Sequence, residues 1–65
     1  MRERKWDIAY VLQGRNLEYT RTWEDLEIEN TWEDIKYDAR ETKKISSYRN
    51  WQFRIIRRRV PYGTI

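Results

Sequence analysis

The chain predicts an α+β fold: a ββαβ two-layer unit, with a three-stranded antiparallel sheet and one main helix on one face. Three observations predict it. Two stretches near the start alternate apolar and polar residues with period two. A central stretch repeats apolar residues at helical spacing. A last alternating stretch, rich in aromatic and β-branched residues, stops at Pro61.

The first strand falls at residues 5–12. Trp6, Ile8, Tyr10 and Leu12 share one face, and Asp7, Ala9 and Val11 the other. Gln13-Gly14-Arg15-Asn16 reads as a tight hairpin turn, since Gly and Asn tolerate positive φ. Residues 17–23 alternate again as the second strand, with Leu17, Tyr19, Arg21 and Trp23 on one face. Next comes a short echo: Thr22-Trp23-Glu24-Asp25-Leu26, then Thr31-Trp32-Glu33-Asp34-Ile35. Each copy has the form of a helix start, with a capping Thr and early acids that suit the helix dipole. The second copy leads into the stripe Ile28, Trp32, Ile35, Ala39, Thr42 and Ile45, with Lys43 and Lys44 near the end. This places a helix at roughly residues 31–46. The first copy has three readings: an earlier helical turn, a separate short helix, or a strand in which Leu26 and Ile28 alternate with acids. Residues 46–50 form a loop, and residues 51–60 form the third strand.

The helix stripe then covers the sheet face bearing Trp6, Ile8, Tyr10, Leu17, Tyr19, Trp51, Phe53 and Ile55. The other face carries Ala9, Val11, Thr20, Arg54, Ile56, Arg58 and Val60. That mixture is too apolar for free solvent and too charged for a core. It suits a dimer contact, a ligand, or both.

Sixty-five residues make one small domain, residues 1–65. A chain of this size buries only about 60% of its unfolded surface, so a monomer is marginal. With no Cys and no His, disulfides and thiolate zinc sites are excluded, and no calcium-loop spacing occurs among the acids. No cofactor is expected. The remaining staple is oligomerisation, with a homodimer as the simplest case and a higher homo-oligomer as the extension. No apolar run approaches a membrane span, and no signal-like apolar region comes after Met1, so a cytoplasmic protein is expected.

Net charge is +3, but unevenly spread. Residues 24–41 hold most of the carboxylates, while residues 49–59 hold Arg49, Arg54, Arg57, Arg58 and Arg59 and no acid. The acid pairs Glu24/Asp25 and Glu33/Asp34 sit at helix-start positions, which explains them without chemistry. No Ser or Thr has a His to activate it, and no Gly-rich phosphate loop is present. The expectation is therefore a protein that is not an enzyme.

What stands out is Arg mixed with aromatic rings. Guanidinium forks clamp phosphates, and flat rings stack on bases. The candidate ligand-binding residues are Tyr10, Tyr19, Arg21, Trp23, Trp32, Arg54, Arg57 and Arg58, with Tyr48 and Arg49 as further candidates. The competing reading makes the Trp residues core and Arg57 to Arg59 gatekeepers of an edge strand. Arg54, mid-strand between Phe53 and Ile55, calls for a specific partner, such as Asp7 or Glu18 across the sheet. Three binding functions compete: a small anionic nucleotide, single-stranded nucleic acid, or a host protein that is inhibited.

The order of elements, with an aromatic hairpin over residues 6–23 and a basic hydrophobic strand over residues 51–60, resembles the miniature phage counter-defence sponge proteins. The resemblance is one of layout and spans roughly residues 5–60. It implies a small homo-oligomer that sequesters a nucleotide immune signal, either ADP-ribose-derived or a cyclic dinucleotide. It transfers no site residue.

Overall fold

The computed structural model describes residues 6–19 and 21–63. Its elements run β1 (Trp6–Asn16), β2 (Glu24–Glu29), α1 (Trp32–Lys43), a single 3-10 turn (Ser46–Tyr48) and β3 (Trp51–Pro61). The three strands form one antiparallel sheet in the order β2-β1-β3, so the first strand is central. This is the α+β, ββαβ layout that the sequence predicts.

Two boundaries move. The expected turn at residues 13–16 is continuous strand, and β1 pairs rung for rung with β3 from Trp6↔Pro61 to Asn16↔Trp51. Gly14 is there for space rather than for a turn. A Cβ at this position would stand 2.8 Å from Leu26 Cδ1, 3.0 Å from Trp51 Cε3 and 3.2 Å from Phe53 Cε1. The chain turns later. Asn16 accepts from the Glu18 amide through its side chain and from the Tyr19 amide through its carbonyl. Leu17 donates to the Asn50 carbonyl, and Asn50 donates to Glu18, which ties this turn to the start of β3. In place of the expected second strand at residues 17–23, residues 17–19 form a turn and residues 21–22 a bend, and Thr20 lies outside the described residues. The real second strand is β2, the strand reading of the Leu26/Ile28 alternation. It carries a bulge, where pairing shifts from Leu12↔Glu27 to Gln13↔Asp25.

The helix begins where its cap dictates. Thr31 is extended, and its hydroxyl accepts from the Asp34 amide at 3.2 Å. Glu33 and Asp34 occupy the positive end, and Arg40 and Lys43 the negative end. The helix stops at Lys43, leaving Ile45 outside it and exposed. Ile35 and Ala39 pack on Leu12, flanked by Tyr10, Leu26, Phe53 and Ile55. Full burial of a side chain such as Leu12 or Ile35 contributes about 1.5–3 kcal/mol. Ile28, expected on the helix stripe, instead pairs with Val11 on the opposite face of the sheet.

The helix rests on β1 and β2 and covers little of β3. Trp6, Ile8, Leu17 and Tyr19, expected beneath it, are exposed, the first two at the start of β1 and the last two in the turn after it. A groove of about 330 Å³ remains between α1 and β3, lined by Leu12, Trp32, Ala39, Phe53 and Ile55. Among the described residues, no helix is long and apolar enough to cross a membrane.

Candidate functional site

The face of the sheet away from α1 is built from cross-strand rows. Arg15 lies opposite Gln52, Gln13 between Asp25 and Arg54, Val11 between Ile28 and Ile56, and Ala9 opposite Arg58. Strand alternation puts all of these side chains on one surface. No helix shields it, yet Ala9 and Val11 are 0% exposed.

A polar chain explains the cover. Arg58 reaches from β3 across β1 to Asp25 on β2, with Nη1 2.6 Å from Oδ2 and Nη2 3.3 Å from Oδ1. Its aliphatic stem roofs the small apolar residues below. Asp25 Oδ1 also accepts from Gln13 Nε2 at 2.7 Å, and Gln13 Oε1 accepts from Arg54 Nε at 2.7 Å. Gln13 is only 6% exposed, and both ends of its amide are used. Arg58, then Gln13, holds the Asp25 carboxyl below the usual carboxylate range. Asp25 in turn holds the Arg58 guanidinium in its charged form.

Trp23 stands at the end of this chain. The Arg54 guanidinium carbon lies 4.2 Å from its ring centre and that of Arg15 4.6 Å. Arg15 is fixed further by Gln52, which accepts from Nε at 2.8 Å, and by the Arg21 carbonyl at 3.5 Å from Nη1. Among the described residues, neither Arg15 nor Arg54 has a carboxylate partner, in contrast to Arg58. Two uncancelled cations thus converge on one indole.

The eight candidates do not form one site. Trp23, Arg54 and Arg58 share the open face. Tyr10, Trp32 and Arg57 lie on the helix side, where the Tyr10 and Trp32 rings meet edge to face at 5.7 Å. Tyr19 is 82% exposed in the turn, and Arg21 contributes its carbonyl, which accepts from Arg15. Tyr48 meets Trp51 edge to face and Phe53 at a tilt, at the end of the helix-side surface. Arg54 finds its partner in Gln13, not in Asp7 or Glu18. Arg15, Gln13, Asp25 and Gln52 are not among the sequence candidates. Their signal is the alternation of β1, which continues Val11, Gln13, Arg15 once Gly14 is read as strand.

A second charged cluster lies on the helix side. Glu27, Glu29 and Asp38 bring carboxylate oxygens within 4.8 Å of one another, the kind of set a hard divalent cation takes. Hydrogen bonding to Asp38, then burial and neighbouring charge, pushes the Glu29 carboxyl above its ordinary range.

No family model matches this chain, and no curated protein or solved structure is found similar to it.

Proposed function

We propose that this protein is a non-enzymatic binder of a small anionic nucleotide, held on the open sheet face by Arg15, Arg54 and Trp23. Its role is sequestration of a nucleotide immune signal in the bacterial cytoplasm, as the resemblance to phage sponges implies. The observation that carries the reading is the convergence on one aromatic ring of two guanidiniums that have no carboxylate partner among the described residues. The ring and the Gln13 and Gln52 acceptors hold the forks in place, so little side-chain entropy is lost when a phosphate arrives. The Nε groups are spent on the amides and Arg15 Nη1 on the Arg21 carbonyl, which leaves Arg15 Nη2 and the Nη end of Arg54 for a phosphate or pyrophosphate. On the neighbouring row Ile28, 42% exposed, offers apolar surface for a base. Sequestration requires affinity alone and no proton-transfer group.

Native mass spectrometry tests this on the protein purified from bacterial cells with active nucleotide defence signalling. The expected result is a retained nucleotide that is recovered chemically intact after denaturation. A cleaved product, or no retained nucleotide, contradicts the reading. Affinity that rises with oligonucleotide length instead assigns the face to single-stranded nucleic acid.

A further inference from the structure

The strand order separates charge. β2 carries Glu24, Asp25, Glu27 and Glu29 in six residues, and β3 carries Arg54, Arg57, Arg58 and Arg59 with no acid. Because β1 is central, these are the two edges of the sheet. Each edge presents unpaired backbone donors and acceptors. Asp25 and Arg58 neutralise each other across the open face. Apart from Arg54, which lies over Trp23 on the open face, the charges left over lie on the helix side. Glu27 and Glu29 pair with Leu12 and Tyr10, and Arg57 and Arg59 pair with Tyr10 and Ile8. Glu29, Tyr10 and Arg57 thus form one row with an acid at one edge and a cation at the other. Among the described residues, Arg57 and Arg59 have no carboxylate partner. On the opposite edge Glu27 and Glu29 crowd their carboxylates against that of Asp38 on α1, and among the described residues no Lys or Arg bridges them.

We propose that a second copy of this chain docks edge to edge and head to tail, its β3 against β2, with Arg57 and Arg59 facing Glu27, Glu29 and Asp38. Charge complementarity selects this pairing among the three available. Joining β3 to β3 sets Arg against Arg, and joining β2 to β2 sets acid against acid; like charges directly opposed are destabilising. β2 and β3 both run antiparallel to β1 and hence parallel to each other. A copy added in the same orientation therefore forms a parallel strand pair and keeps every helix on the same side. The uncovered helix-side strip of β3, with Phe53 and Ile55, then lies between its own helix and that of the neighbour. Such a heterologous contact closes into a ring if its rotation allows, and otherwise extends as a filament. The six residues of β2 keep each contact small, so the association is weak and sensitive to salt.

Sedimentation velocity of the intact chain tests this at about 20 mM and about 500 mM salt, where the screening length falls severalfold. The wild type is expected above monomer mass at low salt and at monomer mass at high salt. Arg57→Glu with Arg59→Glu, and separately Glu27→Lys with Glu29→Lys, should each be monomeric at low salt. Mixing the two variants should restore assembly, because each then offers the edge the other lacks. A wild type that is monomeric at low salt and high concentration overturns the proposal. So does a mixture that stays monomeric while both variants show the wild-type circular dichroism spectrum. If a charge reversal impairs folding, the neutral pair Arg57→Gln and Arg59→Gln decides: association weakened at least tenfold supports the docking, and unchanged association overturns it. Arg15, Trp23 and Arg54 are untouched throughout, so this test and the nucleotide test fail independently.

Discussion

Arg58 and Asp25 stand on opposite edge strands and meet above the central one, 2.6 Å apart. The contact is an exposed ion pair, and such pairs contribute little by Coulomb attraction alone. Its larger effect is cover, because the Arg58 stem closes over Ala9 and Val11 on a face that no helix protects. Arg58→Met, which keeps an apolar stem, should therefore lower the melting temperature less than Arg58→Ala. Equal losses in thermal melts would assign the whole effect to charge.

The same pair sets an acid limit. The Asp25 carboxyl is depressed in the folded chain, so its contribution is present above the ordinary value of 3.8 and is lost as pH falls through the lower folded value. Asp25→Asn should be less stable than wild type at pH 7, with the difference vanishing toward pH 2. A constant gap across that range in urea titrations would contradict the assignment.

Glu29 has the opposite sign. Its carboxyl is raised by Asp38, so the protonated form is favoured in the fold. That contribution is present below the ordinary value of 4.5 and disappears as pH rises through the raised value. Glu29→Gln should raise the melting temperature of the monomer at pH 7 in high salt and leave it unchanged near pH 3. A loss of stability at pH 7 would mean that the three acids are held by a bound cation or partner instead.

Gly14→Ala is expected to destabilise by about 1–3 kcal/mol, because the added methyl meets Leu26 and two aromatic rings at once. A strand glycine with open space around it would tolerate the change, and relief of strand entropy would then give a gain of about 0.5–1 kcal/mol. Denaturant unfolding separates the two signs.

Thr31→Ala should cost about 0.5–2 kcal/mol through the lost cap on the Asp34 amide. Thr31→Ser, which keeps the capping hydroxyl, should cost less. Equal losses in the two melts would contradict that asymmetry.

Much of the fold was legible because its signals are local. Thr31 caps the helix, Pro61 ends β3, and the alternation of Phe53 and Ile55 with Arg54 and Ile56 places each on its face. The path between β1 and β2 was not legible. Gly14 and Asn16 carry turn chemistry, and only the pairing of β1 with all of β3 shows that Gly14 belongs to a strand. That slip hid Gln13 and Arg15 inside a supposed turn and removed them from the open face. The partner of Arg54 was missed for the same reason. Trp23 was found as a residue type, but its two guanidinium neighbours are set by long-range contacts, from β1 on one side and β3 on the other.

The most direct test of the open-face site is calorimetric titration with ADP-ribose and with a cyclic dinucleotide, using wild type, Trp23→Ala, Arg54→Gln and Trp32→Ala. The account expects one probe to bind wild type at micromolar affinity or better. Trp23→Ala and Arg54→Gln should each bind at least about tenfold more weakly, a loss of about 1.4 kcal/mol, and Trp32→Ala should bind as wild type does. Failure of both probes to bind, or a loss confined to Trp32→Ala, would contradict it.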